Sequence, residues 1–163
     1  MSLYSRRFVL LGLPAFAGAC GFTPAFAPGG SAASLQNNVL VDEPDGREAF
    51  LLTRHFEDRL GRAAQARYGL SYSITLSEDP IAISEDNVIS RFNILGNVKY
   101  ALRDMQSKAV LFSGQVDSFT SYSASGTTVA TQAAERDAVG RLMVILADQM
   151  INRLTAEAGR LPV

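Results

Sequence analysis

The chain offers few residues that could do chemistry: one cysteine, Cys20, and one histidine, His55, in 163 residues. A zinc site draws three or four ligands from Cys, His and carboxylates at characteristic spacings, and no such spacing occurs here. Acyl transfer by a Ser-His-Asp relay would have to run through His55. That residue lies beside Phe56 in a helical pattern, and no G-x-S-x-G elbow presents a serine to it. A surface or helix-capping role is the expectation for His55. The acidic groups Asp42-Glu43 with Asp45, and Glu85-Asp86, read as turns and lack the EF-hand spacing for calcium. Gly126-Thr127-Thr128 lacks the leading glycine and the lysine of a phosphate-binding loop. Neither catalysis nor a cofactor is expected. The residue left with chemistry to do is Cys20.

Its surroundings say what that chemistry is. Arg6 and Arg7 precede the apolar run from Phe8 to Ala17, and Ala17-Gly18-Ala19 lead into Cys20. A charged start, an apolar middle and small residues before a cut are the order a secretory signal requires. The run is about ten residues, too short to cross roughly 30 Å of hydrocarbon as a helix. A lone cysteine directly after the small residues resembles a bacterial lipobox, although the first position is Ala17 where leucine is usual. The thiol is then acylated and the chain cut before it, which gives a signal peptide over 1–19. An exported domain normally uses cysteines in pairs, and a single one at the cut site is consumed by lipid. The alternative is a free thiol at the end of a cleaved leader. Ser5-Arg6-Arg7 also looks like a twin-arginine signal, which leaves the export route open between the two bacterial pathways. Residues 20–38, rich in Pro, Gly, Ser and Ala, read as a lipidated flexible tether, with Phe22 and Phe26 the positions where it could pack instead.

The formal net charge is −1 for the whole chain. Positive and negative residues are scattered, and no basic stripe points to nucleic acid. Beyond the leader no apolar run approaches the length of a membrane helix, so attachment rests on the lipid.

Residues 39–163 read as one α+β domain. Val39-Leu40-Val41 is a short strand closed by a turn at Asp42 to Gly46. Ala49, Leu52, Phe56, Leu60 and Ala63 recur at helical spacing, so a helix is expected over 47–67, with Tyr68-Gly69 as its stop. Strict alternation over 70–77 marks a half-buried strand. From Val88 a longer alternation puts Phe92, Ile94, Gly96, Val98, Tyr100 and Leu102 on one face, and Arg91, Asn93, Asn97, Lys99 and Arg103 on the other. A hairpin at 104–108 leads to a partner strand with Val110, Phe112, Gly114 and Val116 inward. A bulge near Asp117-Ser118 is expected to return Phe119 to the buried face. Thr127 or Thr128 caps a last helix over 129–157, roughly 43 Å long, whose Val139, Met143, Leu146, Met150 and Leu154 face the core. The order βαβββα is best satisfied by two helices packed on one face of a four-stranded, mostly antiparallel, mixed sheet.

A leader ending at Cys20-Gly21-Phe22-Thr23-Pro24, this element order, a long strand around Arg91-Phe92 and an Ala-rich closing helix together resemble the LPS-assembly lipoprotein family, LptE. The likeness covers essentially the whole chain and rests more on organisation than on any signature. It implies a non-enzymatic lipoprotein at the periplasmic face of the outer membrane. There it would plug the lumen of an LptD-like β-barrel as a heterodimer, assist the barrel's assembly and help deliver lipopolysaccharide to the surface. Gly21 also fits outer-membrane sorting, since an aspartate there would resemble an inner-membrane retention signal.

Lipopolysaccharide carries phosphates and carboxylates, so direct contact calls for exposed Arg or Lys. The candidates are Arg91, Lys99 and Arg103 on the polar face of the long strand, and Lys108 at its hairpin. The plainer reading of these four is an ordinary solvated sheet face. Two rival functions stay open: an auxiliary lipoprotein of another envelope machine, such as a lipid-transport ABC system or a secretin pilot, and a periplasmic hydrolase built around His55.

Overall fold

A computed structural model describes residues 24–30, 32–83, 89–124 and 126–161. The leader, Cys20 and the Glu85-Asp86 turn lie outside the described residues. Four strands and two helices follow one another as β1 (Val39–Val41), α1 (Arg47–Leu60), β2 (Tyr68–Ile83), β3 (Ile89–Asp104), β4 (Val110–Ser123) and α2 (Thr128–Glu157). The sheet order is β1-β2-β3-β4. β1 runs parallel to β2, and the other two pairs are antiparallel. The parallel pair follows from the helical crossover through α1, which returns the chain to the same end of the sheet.

Alternation decides what faces the helices. Leu70, Ile94, Val98, Tyr100, Leu102, Val116 and Tyr122 are buried on one face. They meet Leu52 and Phe56 of α1 and Leu142, Met143, Leu146 and Met150 of α2 in a single core. Gly96 lets α2 ride close on β3: a Cβ there would stand 2.8 Å from a methyl of Leu146 and 3.0 Å from one of Leu142. The Tyr72 hydroxyl pins α1 to β2, 2.8 Å from the Thr53 hydroxyl and donating to the Ala49 carbonyl at 3.3 Å. Thr127 caps α2 by accepting from the Ala130 N–H, as a threonine before a helix should.

Four details differ from the sequence reading. α1 ends at Leu60, not near residue 67, because Gly61 takes a left-handed φ of 81° and its N–H closes on the Glu57 carbonyl at 2.8 Å. Gly61 also lies so close to the Asn37 side chain that a Cβ would collide with it. Tyr68 and Gly69, expected as the helix stop, open β2 instead.

β2 itself runs on to Ile83, since β3 keeps pairing with it after the apolar alternation has ended. No bulge occurs at Asp117-Ser118. The β3–β4 register shift lies at Leu102/Arg103, next to the hairpin. Val110 therefore stands exposed, and Phe119 points away from the core. Its neighbours explain why an aromatic is tolerated outside. Thr120 takes the inward position and donates its hydroxyl to the Ala138 carbonyl at 2.9 Å. Tyr122 stacks on Phe92 with ring centroids 5.4 Å apart.

The expected tether is also partly folded. Ala32 and Leu35 are fully buried. The Ala32 N–H reaches the Ala25 carbonyl at 2.9 Å, and the Asn37 N–H reaches the Leu60 carbonyl at 2.8 Å. From Ala32 onward the segment belongs to the domain.

Candidate interaction surface

The helices cover one face of the sheet and leave the other open. Along β3 the odd-numbered residues Arg91, Asn93, Leu95, Asn97, Lys99 and Arg103 occupy that open face, because neighbouring side chains in a strand alternate. Their cross-strand partners on β4 are Ser123, Ser121, Phe119, Asp117, Gln115 and Val110. The partners of this face on β2 include Asp79, Ser77, Thr75 and Ser73. The face is therefore mostly polar, with an apolar spot where Leu95 pairs with Phe119 and an exposed Val110 beside the hairpin.

Phe119 is 61 % exposed and Leu95 38 %. A shallow cleft of about 260 Å³ runs beside the two, between Thr75 and Ser77 on one flank and Asp117 and Ser118 on the other. Sequence reasoning missed Phe119 as a surface residue. The signal was present in the alternation itself, which places it in phase with Gln115 and Asp117.

Arg91, Lys99 and Arg103 do share the open face, and all are exposed. They do not converge. Arg91 and Lys99 lie eight residues apart on one strand, about 26 Å, and Lys99 and Arg103 about 13 Å. Lys108 sits in the hairpin at the far end with a left-handed φ of 60°. Among the described residues none of the four is in an ion pair. A row of separated cations on a flat face suits an extended contact and not a single anionic group held in a pocket.

The hairpin itself is shaped by Asp104. Its carboxylate accepts from the Gln106 N–H at 3.0 Å, the Ser107 N–H at 2.7 Å and the Ser107 hydroxyl at 3.0 Å. These bonds, led by the one from the Ser107 backbone, hold the carboxyl below its usual range. At the opposite end of the sheet the Tyr122 hydroxyl donates to the Glu78 carboxylate, tying β4 to β2 across β3. Burial, and then that carboxylate, push the tyrosine well above its ordinary value.

His55 performs a structural task. Its Nε2 lies 2.9 Å from Asp148 Oδ1, and the Arg59 Nε lies 3.6 Å from the same oxygen. The group bridges α1 and α2. Among the described residues no serine hydroxyl bonds His55, no cluster of His, Cys, Asp and Glu could hold a metal, and no helix is long and apolar enough to cross a membrane.

Solved structures with this architecture include several lipoproteins. A solved structure from Caulobacter crescentus, described as a candidate lipoprotein, is 26% identical with a TM-score of 0.64, over 82% of this chain and 98% of that one. The rare lipoprotein B of Shewanella oneidensis shares the fold at 10% identity and a TM-score of 0.56, over 73% of this chain and 92% of that one. A minor lipoprotein of Acinetobacter baumannii does so at 14% identity and 0.56, over 77% and 92%. No curated protein sequence matches. The family model for LptE, lipopolysaccharide assembly, matches residues 36–154, from just before β1 to the last buried turn of α2. The chain belongs to the LptE lipopolysaccharide-assembly family.

Proposed function

We propose that this protein is a non-enzymatic lipoprotein of the outer membrane, moored at its periplasmic face by an acylated Cys20. It seats in the lumen of an LptD-like β-barrel, supports that barrel's assembly and helps pass lipopolysaccharide to the outer leaflet. The observation that carries this reading is the family match across β1 to α2. The open sheet face supports it. A plug meets a water-filled lumen with a polar wall, and a rigid sheet bearing Ser, Thr, Asn and Gln around a few exposed apolar residues suits such a wall. Arg91, Lys99, Arg103 and Lys108 would face phosphates or carboxylates of lipopolysaccharide, or acidic groups of the barrel.

Depletion of the protein tests the proposal. Surface lipopolysaccharide should fall, the barrel should accumulate misfolded, and the tagged chain should capture the barrel in equal amount. Normal surface lipopolysaccharide with a correctly folded barrel would overturn it. Cys20→Ser should abolish palmitate labelling and release the chain from envelope vesicles.

A further inference from the structure

β1 is far shorter than the strand it pairs with. It covers only Tyr68 to Leu70 of β2. The last bond along this edge runs from the Asp42 N–H to the Leu70 carbonyl at 2.9 Å. The chain then departs through Pro44 toward α1, while β2 continues to Ile83.

The even-numbered residues of β2 direct their backbone groups to this side. The Tyr68 N–H donates to the Asn38 carbonyl and the Leu70 carbonyl accepts from Asp42. The period of two carries the pattern to Tyr72, Ile74, Leu76 and Glu78. No backbone bond along this edge meets those four among the described residues. An unpaired row of this kind is a template for another strand, and folded proteins usually blunt it with Lys, Pro or a bulge. Pro80 and the neighbouring register shifts do so only beyond Glu78. The opposite edge is guarded differently, since Arg141 donates to the Ser121 carbonyl at 3.3 Å.

A cleft of about 470 Å³ lies along the free stretch. Tyr72, Ile74 and Leu76 line it on the sheet side, together with the carboxylates of Asp42, Glu43, Asp45 and Glu48. No lysine or arginine lines it, and among the described residues none of those four carboxylates is in an ion pair.

We infer that the β2 edge from Tyr72 to Glu78 is a docking site for an extended segment of a partner protein, one that carries apolar residues and a Lys or Arg on the same face, at every second position. Main-chain bonds to β2 would supply the register. Side chains of an added strand alternate between the faces, so apolar residues would settle against Ile74 and Leu76, and a cation two positions nearer β1, on that same face, would meet the carboxylates. Charge selects this occupant over two others. A second copy paired edge to edge would bring its own carboxylates against these. The chain's own segment from Cys20 to Asn38 carries no cation at all. The inference stands whether or not a barrel is the partner.

Amide resonances of the full-length chain, followed while a blocked hexapeptide with lysine and two valines at alternate positions and threonine between them is added, test it. The amides of Tyr72, Ile74, Leu76 and Glu78 should shift and exchange with solvent roughly tenfold more slowly or slower still. A glutamate-for-lysine peptide and a peptide N-methylated on its edge-facing amides should leave them unmoved. The Asp45→Lys, Glu48→Lys double variant should weaken the lysine peptide by about tenfold or more while its other resonances stay in place. No shift at millimolar peptide, shifts on β4 or the helices in place of β2, equal binding of the N-methylated peptide, or edge shifts that track protein concentration without peptide would each overturn the inference. The last outcome would assign the edge to a second copy.

Discussion

The two faces of this sheet are made by the same strands and obey opposite rules. On the helix side, position after position is filled: Val98, Val116, Leu142, Met143 and Leu146 are all wholly buried. On the open side, Phe119 stands 61 % exposed among serines and asparagines. One face therefore holds the fold together. The other holds little and is available to something else. The contrast teaches that an aromatic residue in a strand is assigned by its phase and not by its chemistry. Phe56 and Phe119 are the same residue type with unrelated tasks.

Removing an aromatic from each side separates those tasks. Phe56→Ala takes a 1 % exposed ring out of the contact between α1 and the sheet, and should cost about 3–5 kcal/mol in denaturant unfolding. Gly96→Val comes next. It thrusts a branched side chain at Leu142 and Leu146, whose methyls lie 3.0 Å or less from the first added carbon. A loss of about 1–3 kcal/mol is expected. A cost near zero would mean that α2 does not ride on β3 as described.

Phe119→Ser should change stability by no more than about 0.5 kcal/mol, since it removes no buried contact. Under the proposed function it should nonetheless reduce capture of the barrel, and Leu95→Ser should do the same. A large loss of stability from Phe119→Ser would erase the distinction between the faces.

Much of this was open to reading from the residues. The alternation from Arg91 to Arg103 placed the residues it assigned on their observed faces, though it left Leu95 and Ala101 unassigned, and α2 follows from local spacing, with its cap narrowed to Thr127 or Thr128. What was not legible depends on distant partners. An exposed aromatic looked like an error to be corrected by a bulge at Asp117-Ser118. Only the unbroken pairing of Leu95 with Phe119 shows that β4 keeps its phase. The apolar spacing carries α1 past Gly61 to a stop at Tyr68-Gly69. The choice falls on Gly61 because Asn37, outside the helix, packs against it.

The bond between His55 and Asp148 joins residues 93 apart in sequence, and no local pattern announces it. The open-face cations were legible one by one. Their separation along the strand, which argues against a compact anion pocket, needed β3 to be seen whole.

The smallest expected effect concerns the hairpin that joins β3 to β4. Asp104 holds the Ser107 turn as a carboxylate, and its bonds keep it ionised below the ordinary range. A group whose folded value is depressed lends stability above its unfolded value and loses it as the pH falls through the folded one. The hairpin should therefore be tight at neutral pH and throughout the usual carboxylate range, and should loosen only under more acidic conditions. The Ser107 amide resonance should titrate in that acid window, and Asp104→Asn should flatten the titration. Core amides on the helix side, such as those of Val98 and Val116, should stay fixed over the same range. If they moved together with Ser107, the hairpin and the core would be one cooperative unit, and the independence of the two faces would end at Asp104.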